Sequence, residues 1–255
     1  MKAYTTARIL ALVTATATMV SLAACGSSAD TSTTGAAEPL AKVAAPAGRS
    51  WSQVASATDD GFMLGNPDAP IKLVEFGSFT CGHCAEYSVT SHEAIKTEFI
   101  DSGRVSFEMR PFIRDPLDLS LAVVASCAGA DRFFPLAENI FASHTSIMEG
   151  AQAASQANQA EMANVQALPE ADRLPTLAGF FGVPQFFAAR GIPAAESNRC
   201  LRDGAAITKR TEVTERNARQ YEISGTPTFL LNGNVMQDAG TWEQVRDQLR
   251  SAGAR

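Results

Sequence analysis

The chain has 255 residues, 45% of them hydrophobic and 19% charged, a composition ordinary for a globular protein and sufficient for one large domain or two small ones. Its formal charge is −6 and no basic patch is visible, so there is no electrostatic reason to expect nucleic acid, and small acidic substrates are not favoured either. Five cysteines make the redox compartment the next question.

Residues 1–24 read as an export signal. Lys2 and Arg8 supply a positive start, Ile9 to Val20 an apolar run diluted by threonines, and Leu22-Ala23-Ala24-Cys25 follows at once. That tetrapeptide resembles a bacterial lipobox, a pattern in which the chain is cleaved before the cysteine and Cys25 is acylated; small residues leave the backbone open to the peptidase. The 16 residues from Ile9 to Ala24 fall short of the ~20 needed to cross a bilayer as a helix, which makes a retained transmembrane anchor the weaker reading. Ordinary secretory cleavage with Cys25 left as a stray thiol is the alternative, whereas several acyl chains on one cysteine would anchor stably. Residues 25–60 are expected to form a lipid-anchored flexible linker, because Gly26 to Ser50 is rich in Ala, Ser, Thr, Gly and Pro and has no aromatic residue. With Cys25 lipidated, Cys81, Cys84, Cys127 and Cys200 remain, an even set that in an exported protein suggests disulfides.

From Ile71 the texture changes. Ile71 to Phe76 reads as a largely buried strand, Gly77-Ser78 breaks it, and a helix runs from about Thr80 to about Ile100. Val105 to Met109 alternates apolar and polar as a second strand should, and Pro111 closes it. From Arg114 to Ile223 strand character is scarce. Leu117, Leu121, Val124 and Ala128 recur at helical spacing, and Phe133 to Phe141 and Leu177 to Phe187 are apolar enough to pack against them, which indicates a helical insertion. Ala151 to Ala160, rich in Ala and Gln, reads equally as helix or as surface connection. Strand texture returns at Thr228 to Leu231, turns at Asn232-Gly233 and resumes at Asn234 to Gln237; Thr241 then caps a last helix, Trp242 to Arg250, with Trp242, Val245 and Leu249 on one face.

Cys81-Gly82-His83-Cys84 at a helix start carries the chemistry. Disulfide exchange needs a thiolate, and a free cysteine is mostly protonated near neutral pH. Unpaired amides and the positive end of the helix dipole favour an anion at Cys81, and His83 is expected to add a hydrogen bond or a positive charge toward it. The two-residue gap puts both sulfurs on one helical turn, with Cys84 as the resolving thiol. Cys-x-x-Cys is also half of a zinc site, but two further ligands are missing, since there is no second such motif and His92 and His144 are isolated, as surface or packing histidines would be. A purely structural bridge is a further alternative.

The order of strand, Cys-x-x-Cys, helix, strand, helical insertion, Gly225-Thr226-Pro227-Thr228, hairpin and helix resembles the DsbA-type branch of the thioredoxin superfamily over roughly Gly61 to Leu249. The resemblance implies an α/β, thioredoxin-like fold with an inserted helical domain: 61–113 as its first half, 114–223 as the insertion and 224–255 as its second half. It implies that Glu75 is the family's buried acid, able to relay a proton to or from Cys84, and that Pro227 is its cis-proline, facing the motif so that the main chain of Thr226 binds an extended substrate. A subset of the family carries a second bridge, which implies a structural disulfide between Cys127 and Cys200; two buried free thiols are the alternative. No cofactor or metal is implied. The implied partners are newly exported or unfolded cysteine-containing proteins and a membrane redox protein, either a DsbB-like oxidase or a reductase.

The departures bear on direction. Gly82 stands where strongly oxidising members carry proline, and Thr226 before Pro227 is seen more in isomerase-type relatives. The polar stretch from Gly26 to Ser50 does not read as the dimerisation domain that isomerases of this compartment usually have. Expectation therefore centres on a periplasmic oxidase that forms disulfides in exported proteins. An isomerase or reductase kept reduced by a membrane carrier is the alternative, and a non-catalytic peptide- or metal-binding lipoprotein the reading from another class. Gly26 after the lipidated residue, in place of an aspartate, slightly favours the outer membrane.

Overall fold

The structure, a computed structural model, describes residues 37–255. The expected signal peptide over residues 1–24, the expected lipidation site Cys25 and the first part of the expected linker lie outside the described residues. Strands β1 (Ala55–Ala57), β2 (Phe62–Gly65) and β3 (Ile71–Gly77) lead into helix α1 (Gly82–Ala94), whose last turns, Ile95–Ile100, widen to π geometry, with Asp101 N–H reaching back to the Lys96 carbonyl at 2.8 Å. Strand β4 (Val105–Pro111) follows.

Eight helices come next: α2 (Pro116–Cys127), α3 (Ala130–Ala142), α4 (His144–Ala157), α5 (Gln159–Ala163), α6 (Glu170–Phe180), α7 (Val183–Ala188), α8 (Ala194–Leu201) and α9 (Gly204–Gln220). Strands β5 (Thr228–Leu231) and β6 (Asn234–Val235) and helix α10 (Trp242–Ser251) complete the chain. The Ala/Gln-rich stretch left open by its composition is helical over most of its length, in α4 and the start of α5. Local signals set several ends: Asp115 caps α2 by accepting the Asp118 N–H ahead of Pro116, and Thr241 and Gln244 form a capping box on α10.

One six-stranded mixed sheet has the order β1-β2-β4-β3-β5-β6. β3 lies at its middle, parallel to β4 and antiparallel to β5, so Glu75 stands between Met109 and Phe229. The period-two alternation sorts the strand: Ile71 and Leu73 join the large core that includes Tyr87, Phe99, Phe229 and Trp242, while Val74 and Phe76 form a smaller cluster with Leu230. Tyr87 of α1 packs on Phe229 at 4.6 Å between ring centroids, which draws α1 onto the centre of the sheet. This is a thioredoxin fold with an inserted helical subdomain.

Two expectations need correction. Strand β1 (Ala55–Ala57) lies where linker was expected; Ala-Ser-Ala has no apolar alternation to reveal it, and pairing with β2 supplies what local pattern lacks. From Ala37 onward, moreover, the stretch read as flexible linker lies against the domain. Ala37, Leu40 and Val43 N–H groups donate to the carbonyls of Ser251, Gly253 and Ser102, and Trp51 Nε1 donates to the Val43 carbonyl at 2.8 Å with its ring buried. Composition registers side chains, and this docking is made mostly by main chain. Gly103 shows how close it is: a Cβ there would stand 2.4 Å from the Val43 carbonyl oxygen.

Candidate active site

β3 ends at Gly77, and Ser78-Phe79-Thr80 turns the chain into α1, whose N-cap is Cys81. The Cys81 N–H donates to the Ser78 carbonyl at 3.1 Å, and Cys81 Sγ accepts the Cys84 N–H at 3.4 Å, the place a serine or aspartate oxygen would take in an ordinary cap. Both motif cysteines are free thiols. The Cys84 sulfur and the amides of Cys84 and His83 pull the Cys81 thiol down to about 5 against the opposing effect of burial, with help from the Thr226 side chain. Cys84 is fully buried, and burial pushes its thiol far up, so the two sulfurs are strongly unlike.

Across from the motif, the Thr226-Pro227 peptide is cis, and the Thr226 carbonyl accepts a hydrogen bond from the Cys81 thiol at 3.1 Å. Cys81 and Thr226 border a groove of about 600 Å³ whose other walls include Phe112, Ile113, Ile223 and the exposed Arg114. Beneath, Glu75 is only 2% exposed, and its Oε1 has no hydrogen-bond partner among the described residues. Burial first, then the Cys81 charge, lifts its carboxyl to about 8. Gly77 makes room for it, since a Cβ there would lie 2.8 Å from Glu75 Oε1.

The structure thus brings Cys81, Cys84, Glu75, Thr226 and Pro227 together. The His83 imidazole is not part of that arrangement: it is exposed, with Nδ1 3.9 Å from Glu86, and its backbone N–H, not its ring, serves Cys81. Cys127 and Cys200 are bonded to each other, joining the end of α2 to α8 within the insertion. Two residues escaped the sequence reading. His144, set aside as isolated, begins α4 with its Cε1 3.8 Å from where a Gly82 side chain would start. Asp118, fully buried, accepts hydrogen bonds from the turn before Cys81; the only local hint is Asp-Pro-x-Asp, which reads as helix capping alone.

A family model described as thioredoxin matches residues 57–251. The chain belongs to the thioredoxin family. A crystal structure of a protein-disulfide isomerase from Novosphingobium aromaticivorans is 31% identical, with a TM-score of 0.67 over 74% of this chain and 95% of that one. That of alpha-DsbA1 from Wolbachia pipientis, 18% identical with a TM-score of 0.60 over 78% of this chain and 93% of that one, shares the fold. A Rickettsia prowazekii protein named by inference as a protein-disulfide oxidoreductase is 28% identical over 175 residues, which are 69% of this chain and 55% of that protein. The chain spans about half the length of the first curated relatives that it matches.

Proposed function

We propose that this thioredoxin-family chain is a thiol:disulfide oxidoreductase that forms disulfides in exported proteins through Cys81 and Cys84. The contrast between the two sulfurs carries the reading: the Cys84 sulfur, with Thr226 and the amides of the helix start, pulls the Cys81 thiol down to about 5, while Cys84 is sealed beside Glu75. A low thiol pKa makes Cys81 a good leaving group and stabilises the reduced protein, which is what makes a pair oxidising.

In the oxidised protein a client thiolate attacks Cys81 Sγ; the Cys81–Cys84 bond breaks and Cys84 leaves with the electron pair. Glu75, protonated near neutral pH, supplies a proton to it. A second client thiolate attacks the client sulfur of the mixed disulfide, Cys81 departs as thiolate, and the client holds a new disulfide. Two electrons then rest on the dithiol and pass to a membrane oxidase. The Thr226 main chain, beside Cys81, suits strand-like binding of an extended client.

A second reading has one observation in its favour: the 31% identical structure is named a protein-disulfide isomerase. Equilibration of the Cys81–Cys84 pair with glutathione separates the two. A potential near roughly −120 mV supports the oxidase, and one at or below roughly −180 mV supports an isomerase or an enzyme kept reduced.

Export and lipid anchoring at Cys25, with residues 1–24 removed, complete the proposal and rest on the sequence alone. No helix among the described residues is long and apolar enough to cross a membrane. Labelled palmitate is expected to enter the wild-type chain and not Cys25→Ala; equal labelling of both would remove the anchor from the proposal.

A further inference from the structure

Asp118 belongs to the insertion, in the first turn of α2, and is wholly buried. A carboxyl removed from water needs compensating donors. Three are present: Ser78 Oγ at 2.6 Å, the Phe79 N–H at 2.9 Å and the Arg114 N–H at 3.1 Å. Two of them lie in the turn that precedes Cys81. Beside them Asp115 Oδ2 accepts from Thr80 Oγ1 at 2.7 Å, so the start of α2 holds residues 78, 79 and 80 at three successive points.

That turn in turn holds both cysteines. The Ser78 carbonyl accepts the Cys81 N–H, and the Ser78 N–H faces Cys84 Sγ. Asp118 itself touches neither sulfur. Burial lifts its carboxyl to about 7 against the pull of its donors, so above that pH both of its oxygens accept as a carboxylate.

We infer that Asp118 is a positioning residue of the dithiol: through Ser78 and Phe79 it fixes the start of α1, so that the His83 and Cys84 amides converge on Cys81 Sγ, and it thereby sets the redox equilibrium of the pair. The inference rests on the reading of Cys81 and Cys84 as a redox pair. It runs against the bare electrostatics, because a nearby negative charge disfavours a thiolate, and the two effects have opposite signs.

The test is Asp118→Asn, measured by equilibration with glutathione at pH 8 beside a melting curve. Asparagine keeps the size and one acceptor oxygen but aims an NH₂ at a group that donates. Lost positioning weakens the thiolate, so the equilibrium is expected to move roughly two- to tenfold toward the disulfide, the equivalent of about one hydrogen bond. A shift toward the dithiol would mean that Asp118 acts by charge, and an unmoved equilibrium with a lower Tm would mean that it only supports the fold; either overturns the inference. Should Asp118→Asn fail to fold, Ser78→Ala removes one donor and is expected to shift the equilibrium in the same direction by less; no shift overturns the inference equally. A wild-type protein whose two cysteines do not exchange with glutathione as a pair would instead overturn the reading beneath it.

Discussion

Replacing Glu75 by glutamine removes a carboxyl whose ionisation the fold opposes by burying it. In the unfolded chain this carboxyl ionises near 4.5, and in the native protein near 8. Below 4.5 both states hold the proton and the substitution changes little. Between the two values the native state alone holds it, and wild-type stability falls by ~1.36 kcal/mol per pH unit as pH rises. Glutamine has nothing to titrate. At pH 7 the variant is therefore expected to be more stable by about 3 kcal/mol, the gap levelling off above pH 8 at about 5 kcal/mol. Urea unfolding of the reduced proteins at pH 4, 7 and 9 reads this directly. The oxidised proteins should show a smaller gap, because the Cys81 charge is the second cause of the shift. The same variant should lose rate at the step in which Cys84 takes a proton. A stability difference that is the same at all three pH values would refute the assignment of Glu75 as a buried, protonated acid.

Two further outcomes are expected. Ultraviolet titration of the Cys81 thiolate should give a midpoint near 5, and a value above about 8 would contradict the site's electrostatics. Because this pKa is depressed, its contribution to the stability of the reduced protein is full above the unfolded value near 9 and is lost as pH falls through 5. Joint replacement of Cys127 and Cys200 by serine opens a bridge spanning 73 residues and should cost about 4 kcal/mol in urea unfolding. The glutathione equilibrium of Cys81–Cys84 should stay in place, and a large change there would make the second bridge part of the redox site.

The sequence by itself determined the parts whose causes are local. A largely buried strand, a Gly-Ser break, Cys-x-x-Cys at a helix start, helical periodicity from Leu117 onward, the Asn232-Gly233 turn and the Thr241 cap depend on residues within a few positions of each other, and the structure keeps each of them. Only the tertiary structure decided what surrounds them. Glu75 is a raised, unpaired acid because β3 came to lie between β4 and β5, a neighbour relation across more than 150 residues that no local pattern encodes. His83 looked central from its place between the cysteines, yet a helix start offers its amide to Cys81 and turns its ring outward. Asp118 looked like a capping residue, yet it holds the turn on which the dithiol is built. The docking of residues 37–51 was invisible for a related reason, since it is made largely by backbone groups that every sequence carries. Propensity and capping act through adjacent residues, whereas desolvation and the identity of a hydrogen-bond partner are set by whatever the fold brings near.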